Sequence, residues 1–140
     1  AAAGAEPVAK AELLARADAI SIHLVLSART RGLIGAEDIA RMKPGAILVN
    51  TSRGPIVDEA ALVEAVRARR IIAALDVYDQ EPLPADHPLR TAPDTVLTPH
   101  IGYGVAETWA QFYPQSVENA LAFLDGKPVR VVNPDVLRRA

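Results

Sequence analysis

Short apolar runs alternate along this chain with stretches in which apolar residues return at every third or fourth position. The runs at 19–24 (AISIHL), 46–49 (AILV), 71–75 (IIAAL) and 95–98 (TVLT) have the length and composition of strands. Between them lie helical patterns. Residues 10–17 carry Leu13 and Leu14 on one apolar side, 36–42 place Ile39 and Met42 three apart, and 59–69 set Leu62 and Val66 four apart. The 46–49 run is apolar throughout, which predicts a strand covered on both faces. Lys43-Pro44-Gly45 stops the second helix. Asp58 is placed to cap the third, Glu59 suits its positive end, and Arg67, Arg69 and Arg70 suit the other. Residues 79–94 read as a proline-rich loop. Residues 106–124 predict a helix with Trp109, Tyr113, Val117, Leu121 and Leu124 on one side, kinked or broken at Pro114. The tail 127–140 reads as extended.

Alternating strands and helices predict an α/β fold: a parallel sheet with right-handed crossovers and flanking helices. Four such strands make more than half of a doubly wound, Rossmann-like sheet. The GxGxxG turn that cradles a dinucleotide pyrophosphate is absent from all 140 residues, as is the acidic residue that should follow it. Either the ligand is not a dinucleotide, or residues 1–140 are one partial dinucleotide-binding domain.

Three of the apolar runs stop at polar residues. Val49 leads into Asn50-Thr51-Ser52-Arg53, Leu75 into Asp76 with Glu81 five residues on, and Pro99 into His100. Open parallel α/β sheets bind their ligands at the C-terminal ends of their strands. An arginine, two carboxylates and a histidine are therefore expected around one site.

Composition narrows the chemistry. Half the residues are hydrophobic, the formal charge is −2, and the arginines are dispersed among acids, so no nucleic-acid surface is expected. Without cysteine there is no disulfide, thiolate metal site or catalytic thiol, and no metal ligand set is assigned. No apolar run approaches the roughly 18–20 residues that span a bilayer, and the N-terminus lacks the basic-then-apolar pattern of a secretory signal. The expectation is a cytoplasmic protein with no membrane partner.

Four stretches carry a more specific message: LLARADAISIHLVLSARTRGLIG at 13–35, MKPGAILVNTSRGPIVDE at 42–59, LDVYDQEPLP at 75–84 and TPHIG at 98–102. In this order the chain resembles the D-isomer-specific 2-hydroxyacid dehydrogenases, the group that includes phosphoglycerate and glyoxylate/hydroxypyruvate reductases. The resemblance covers 9–134. It departs at His23-Leu24-Val25, where the family usually has His-x-Pro, and at Ile72, where the family usually has glycine.

The resemblance implies an oxidoreductase that moves a hydride between a nicotinamide cofactor and a D-2-hydroxy acid or 2-keto acid. NAD is the expected cofactor, with NADP left open. Arg53 would hold the substrate carboxylate and carbonyl, His100 would be the general acid/base, and Glu81 its carboxylate partner. Asp76 would sit by the nicotinamide, and Thr51, Ser52 and Gly102 would line the cofactor. The residue types suit the chemistry. A planar guanidinium grips a carboxylate in bidentate fashion, and an imidazole donates to a developing alkoxide and takes the proton back in reverse. The family commonly dimerises through its cofactor domains, so a homodimer is implied. Its members also carry a substrate domain and the glycine-rich part of the cofactor domain, for which this sequence has no room. The chain is thus expected to be a fragment, inactive in isolation, with an uncovered sheet edge. The alternative is a non-enzymatic homologue acting as a fold or interaction module.

Overall fold

A computed structural model describes residues 4–135 of the chain. Its sheet has four parallel strands in the order β1-β2-β3-β4: β1 (Ala19–Ile22), β2 (Ala46–Asn50), β3 (Ile71–Leu75) and β4 (Thr95–Leu97). Helix α1 (Lys10–Arg16) precedes β1, α2 (Ala36–Arg41) joins β1 to β2, and α3 (Glu59–Arg67) joins β2 to β3. The connection from β3 to β4 has no α-helix, only a short 3₁₀ turn at Pro88–Arg90. The predicted α/β class and flanking helices are therefore present, and β1 stands at a sheet edge.

The β1–β2 and β2–β3 crossovers step the same way across the sheet, so right-handed connections place α2 and α3 on one face. The burial pattern follows. Ile20, Ile22, Ala46, Leu48, Ile71, Ala73 and Leu75 pack with Leu14, Ile39, Met42, Leu62 and Val66 in one core. On the opposite face Ile47 is 37% exposed and Val96 61% exposed. The expectation of a β2 covered on both faces is corrected: an all-apolar strand does not say which of its faces the chain's own helices can reach. Ile72 lies on that second face, half-buried and paired with Ile47.

Local chemistry sets the element ends. The Asp58 carboxylate accepts the Ala61 N–H at 3.0 Å, capping α3 as the sequence predicts. α3 stops at Arg67, short of the predicted 69, because Arg69 turns left-handed with φ of 53°. Arg70 serves α3 through its backbone, its N–H donating to the Ala65 carbonyl at 2.8 Å, but its side chain does not. Its guanidinium reaches back to the Ala40 carbonyl at 2.9 Å and to the Met42 carbonyl, satisfying the end of α2. In α1 only Leu14 is buried, and Leu13 is exposed.

The chain divides into two compact units after Gly102. The second unit carries α4 (Ala106–Leu124), which continues through Pro114, so that of the kink or break expected there the break does not occur. Pro114 removes a single backbone donor from a nineteen-residue helix. Tyr103, Trp109, Phe112 and Tyr113 cluster there, with the Trp109 and Tyr113 rings 5.7 Å apart. No residue of α4 is buried. Residues 127–133 of the predicted extended tail carry no helix or strand, and 136–140 lie outside the described residues. Among the described residues, no helix is long and apolar enough to cross a membrane.

Candidate active site

The turn after β2 is built by Asn50, the last residue of the strand and fully buried. Its side-chain amide donates to the Arg53 carbonyl at 2.9 Å, and its Oδ1 accepts the Ser52 N–H at 3.0 Å. Ser52 Oγ donates to the Ile22 carbonyl at 2.7 Å, tying this turn to the end of β1. Thr51 and Arg53 are left exposed, with Arg53 Nη1 resting on the Ser52 carbonyl at 2.6 Å. Gly54 follows because nothing larger fits. A Cβ there would stand 2.1 Å from the Tyr78 carbonyl carbon and 2.5 Å from the Asp79 nitrogen. The turn bearing Arg53 therefore rests directly on the backbone leaving β3.

Asp76 follows β3 and is buried. Its Oδ1 accepts the Thr98 hydroxyl at 2.5 Å and the Ile101 N–H at 2.9 Å, and its Oδ2 accepts the Gly102 N–H at 2.8 Å. Burial pushes this carboxyl up, but the three donors more than offset it and hold it below the usual carboxylate value. A Cβ on Gly102 would come within 3.0 Å of Asp76 Oδ2. Asp76 and Gly102 thus meet each other, and Asp76 spends its oxygens on the loop that carries His100. Tyr78 adds a second tie, its hydroxyl reaching the Leu75 carbonyl at 3.1 Å and the Thr98 carbonyl at 2.9 Å.

His100 is held left-handed, with φ of 58°, a conformation that few side chains adopt without support from their surroundings. The support comes from both sides. Asp76 grips the next two backbone N–H groups, and His100 Nδ1 lies 2.6 Å from Glu81 Oε2. An ionised carboxylate only accepts, so Nδ1 carries the hydrogen and Nε2 is the ring atom able to exchange a proton with a ligand. Glu81 is itself fixed by the Tyr78 N–H at 3.0 Å. Burial pushes its carboxyl up, while the His100 ring, the Tyr78 N–H and the nearby charge of Arg53 hold it below its usual value. A cavity of about 600 Å³ lies beside the pair, bounded by Tyr78, Leu83, Leu97 and Thr98.

Of the residues singled out in the sequence, His100 joins Glu81, and Asp76 joins Gly102. Arg53 lies close enough to Glu81 to act on its charge, while Ser52 is bonded into the β1–β2 ends and Thr51 stands exposed nearby. Asn50 belongs to the strand-end pattern but was given no role there, and Gly54 and Tyr78 lie outside it, yet all three set its geometry. The available signal was a polar Asn50 closing an apolar strand and a glycine directly after Arg53.

An open parallel sheet with polar groups gathered beyond its strand ends defines a Rossmann-like ligand-binding layer. Residues 1–102 match the family described as D-isomer specific 2-hydroxyacid dehydrogenase, NAD binding domain, and the chain belongs to that family. It is 48% identical over 128 residues to glyoxylate/hydroxypyruvate reductase B of Enterobacter agglomerans, covering 90% of this chain and 40% of the relative. It is similar to the NAD-dependent formate dehydrogenase of Staphylococcus aureus, solved in complex with NAD. The TM-score is 0.75 at 35% identity, over 88% of this chain and 38% of the other. A D-isomer specific 2-hydroxyacid dehydrogenase from Xanthobacter autotrophicus, solved with NADPH and MES, gives a TM-score of 0.65 at 40% identity, over 86% and 49%. The chain spans about 40% of the length of the curated relatives it matches.

Proposed function

We propose that this chain carries the catalytic, nicotinamide-side part of a dinucleotide-binding domain, and that Arg53, Glu81 and His100 form the site for interconverting a 2-keto acid and a D-2-hydroxy acid. The observation that carries the reading is the 2.6 Å contact of His100 Nδ1 with Glu81 Oε2 in the loop beside Arg53. That contact fixes the tautomer and leaves Nε2 to act.

The residues suit a nicotinamide cofactor. Thr51 and Gly102 are exposed past the strand ends, Ser52 is partly so, and the Gly102 N–H is already oriented by Asp76. Thr51, Ser52 and Gly102 would hold the group, with Asp76 shaping the loop beneath it. Bound there, a nicotinamide supplies or accepts the hydride. The protein's part is positioning and proton transfer. Arg53 binds the substrate carboxylate through its guanidinium fork. His100 Nε2 gives a proton to the carbonyl oxygen as it becomes an alkoxide, and removes it in the oxidative direction. Glu81 keeps the ring oriented and stabilises its cationic form. With no glycine-rich phosphate turn in the sequence, the 140-residue chain alone is expected to hold NADH weakly and to turn over slowly, if at all.

Two measurements test this. Placed in the E. agglomerans reductase in exchange for its matching segment, the chain should support NADH-linked reduction of a 2-keto acid. His100→Ala in that hybrid should lower kcat by at least about a hundredfold while leaving NADH binding intact. Near-normal turnover in His100→Ala would sink the assignment. Saturable tight binding of NADH by the isolated chain, followed through Trp109 fluorescence, would overturn the expectation of weak binding.

A further inference from the structure

The first unit holds a second histidine–carboxylate pair that the proposed reaction leaves unused. His87 Nε2 lies 3.2 Å from Glu59 Oε1, and the two side chains are only 14% and 28% exposed. His87 Nδ1 accepts the Leu89 N–H at 3.2 Å, which places the ring hydrogen on Nε2 and makes it the donor to Glu59. The other Glu59 oxygen accepts the Asp79 N–H at 3.4 Å. Glu59 opens α3, a helix anchored by the buried Leu62 and Val66. It therefore grips the β3–β4 connection at Asp79 and again at His87, and Glu81 lies between those two points. Arg90 firms the same stretch by donating to the Pro84 carbonyl at 2.7 Å and the Leu83 carbonyl at 2.6 Å.

We infer that Glu59 and His87 are positioning residues of the hydride-transfer site, forming a latch from α3 that sets the Glu81 carboxylate against His100. This rests on the reading of Glu81 and His100 given above. Neither residue touches the reacting atoms. The latch acts by fixing the ends of the loop that carries Glu81, a segment with no α-helix to stiffen it. Besides Glu59, the charges of Arg31 and Asp58 act on Asp79.

The test follows the titration of the Glu81 carboxyl carbon by NMR in the 140-residue chain, which requires no turnover. Glu81 titrates low because His100 and Tyr78 donate to it. Glu59→Gln should raise its midpoint toward the ordinary carboxylate value. The sign discriminates, since removing a nearby negative charge acts by itself in the downward direction. His87→Asn should give the same upward shift. It keeps a side-chain acceptor for the Leu89 N–H but cannot bridge to Glu59, so it carries the test even if Glu59→Gln fails to fold. In a His100→Gln background both shifts should vanish. No shift, a downward shift in Glu59→Gln, or an equal shift without His100 would overturn the latch. A failed hydride-transfer reading shows separately, as a hybrid enzyme with no NADH-linked turnover.

Discussion

Replacing Asp76 by Asn changes one atom and tests what the residue is for. The carboxylate accepts three donors, from Thr98, Ile101 and Gly102, at 2.5, 2.9 and 2.8 Å. An amide keeps one oxygen. Placed at the Oδ1 position, that oxygen retains Thr98 and Ile101 but turns an NH₂ toward the Gly102 N–H, donor against donor. The reverse flip sets the NH₂ against the Ile101 N–H instead, while the Thr98 hydroxyl can turn to accept from it. A hydrogen bond to a charged group is worth roughly 1.5–3 kcal/mol, and the exposure of Gly102 lets water recover part of it. The expected loss is about 2 kcal/mol at neutral pH.

The pH dependence separates charge from packing. The Asp76 carboxyl is held below its usual value in the folded chain, so its contribution is present above the unfolded value of about 3.9. It is lost as pH falls through the folded value. Urea denaturation of wild type and Asp76→Asn should therefore differ most near neutrality and converge in acid, as the wild-type carboxyl takes up its proton. A stability gap that stays constant down to about pH 3 would refute the reasoning, because only a packing defect behaves that way.

The other predictions concern the supports of the site and the sidedness of the core. Gly54→Ala places a Cβ 2.1 Å from the Tyr78 backbone and should cost about 3 kcal/mol or more, read as a lower urea midpoint; an unchanged midpoint would refute the close approach. Tyr78→Phe keeps the ring but frees the Thr98 carbonyl and leaves the Leu75 carbonyl only the Thr98 N–H, so a loss of about 1 kcal/mol is expected in the same assay, and a neutral result would show that water replaces the hydroxyl. Leu48→Ala, in the covered face, should cost about 2–5 kcal/mol, and Ile47→Ala, its neighbour on the open face, well under half as much. Equal losses would mean that the sheet is not covered on one side alone.

The alternation of short apolar runs with helical spacing was enough to locate all four strands, although β1 stops at Ile22 and β4 at Leu97, short of the predicted ends. Ile39, Met42, Leu62 and Val66 pack where their spacing puts them. Sidedness was not legible. Ile47 and Leu48 look alike in sequence, and only the common direction of the crossovers decides which of them is covered. Of the kink or break expected at Pro114, the break is absent for a related reason: proline removes one donor from α4, and the other helical bonds carry the helix through. The polar strand ends were legible as a group, since polar residues directly after apolar strands stand out. Their division of labour was not, because it depends on which backbone groups come within reach. Asp76 looks as reactive as Glu81 in sequence, yet its oxygens are occupied by the His100 loop.

That division has a physical logic. Asn50 and Asp76 are buried at the ends of β2 and β3, where polar groups are tolerated only when their hydrogen bonds are met. The donors and acceptors that meet them belong to the turns carrying Arg53 and His100. The cost of burial is thus offset by the same contacts that shape the site, so the loops are anchored to the sheet rather than draped over it. Arg53 stays exposed and His100 partly so, free to meet a ligand. Substitutions at Asn50 or Asp76 should then lower stability and distort the site together, whereas changes at Arg53 or the His100 ring should spare the fold. A variant series that failed to separate along this line would show that the loops hold their shape without the buried pair.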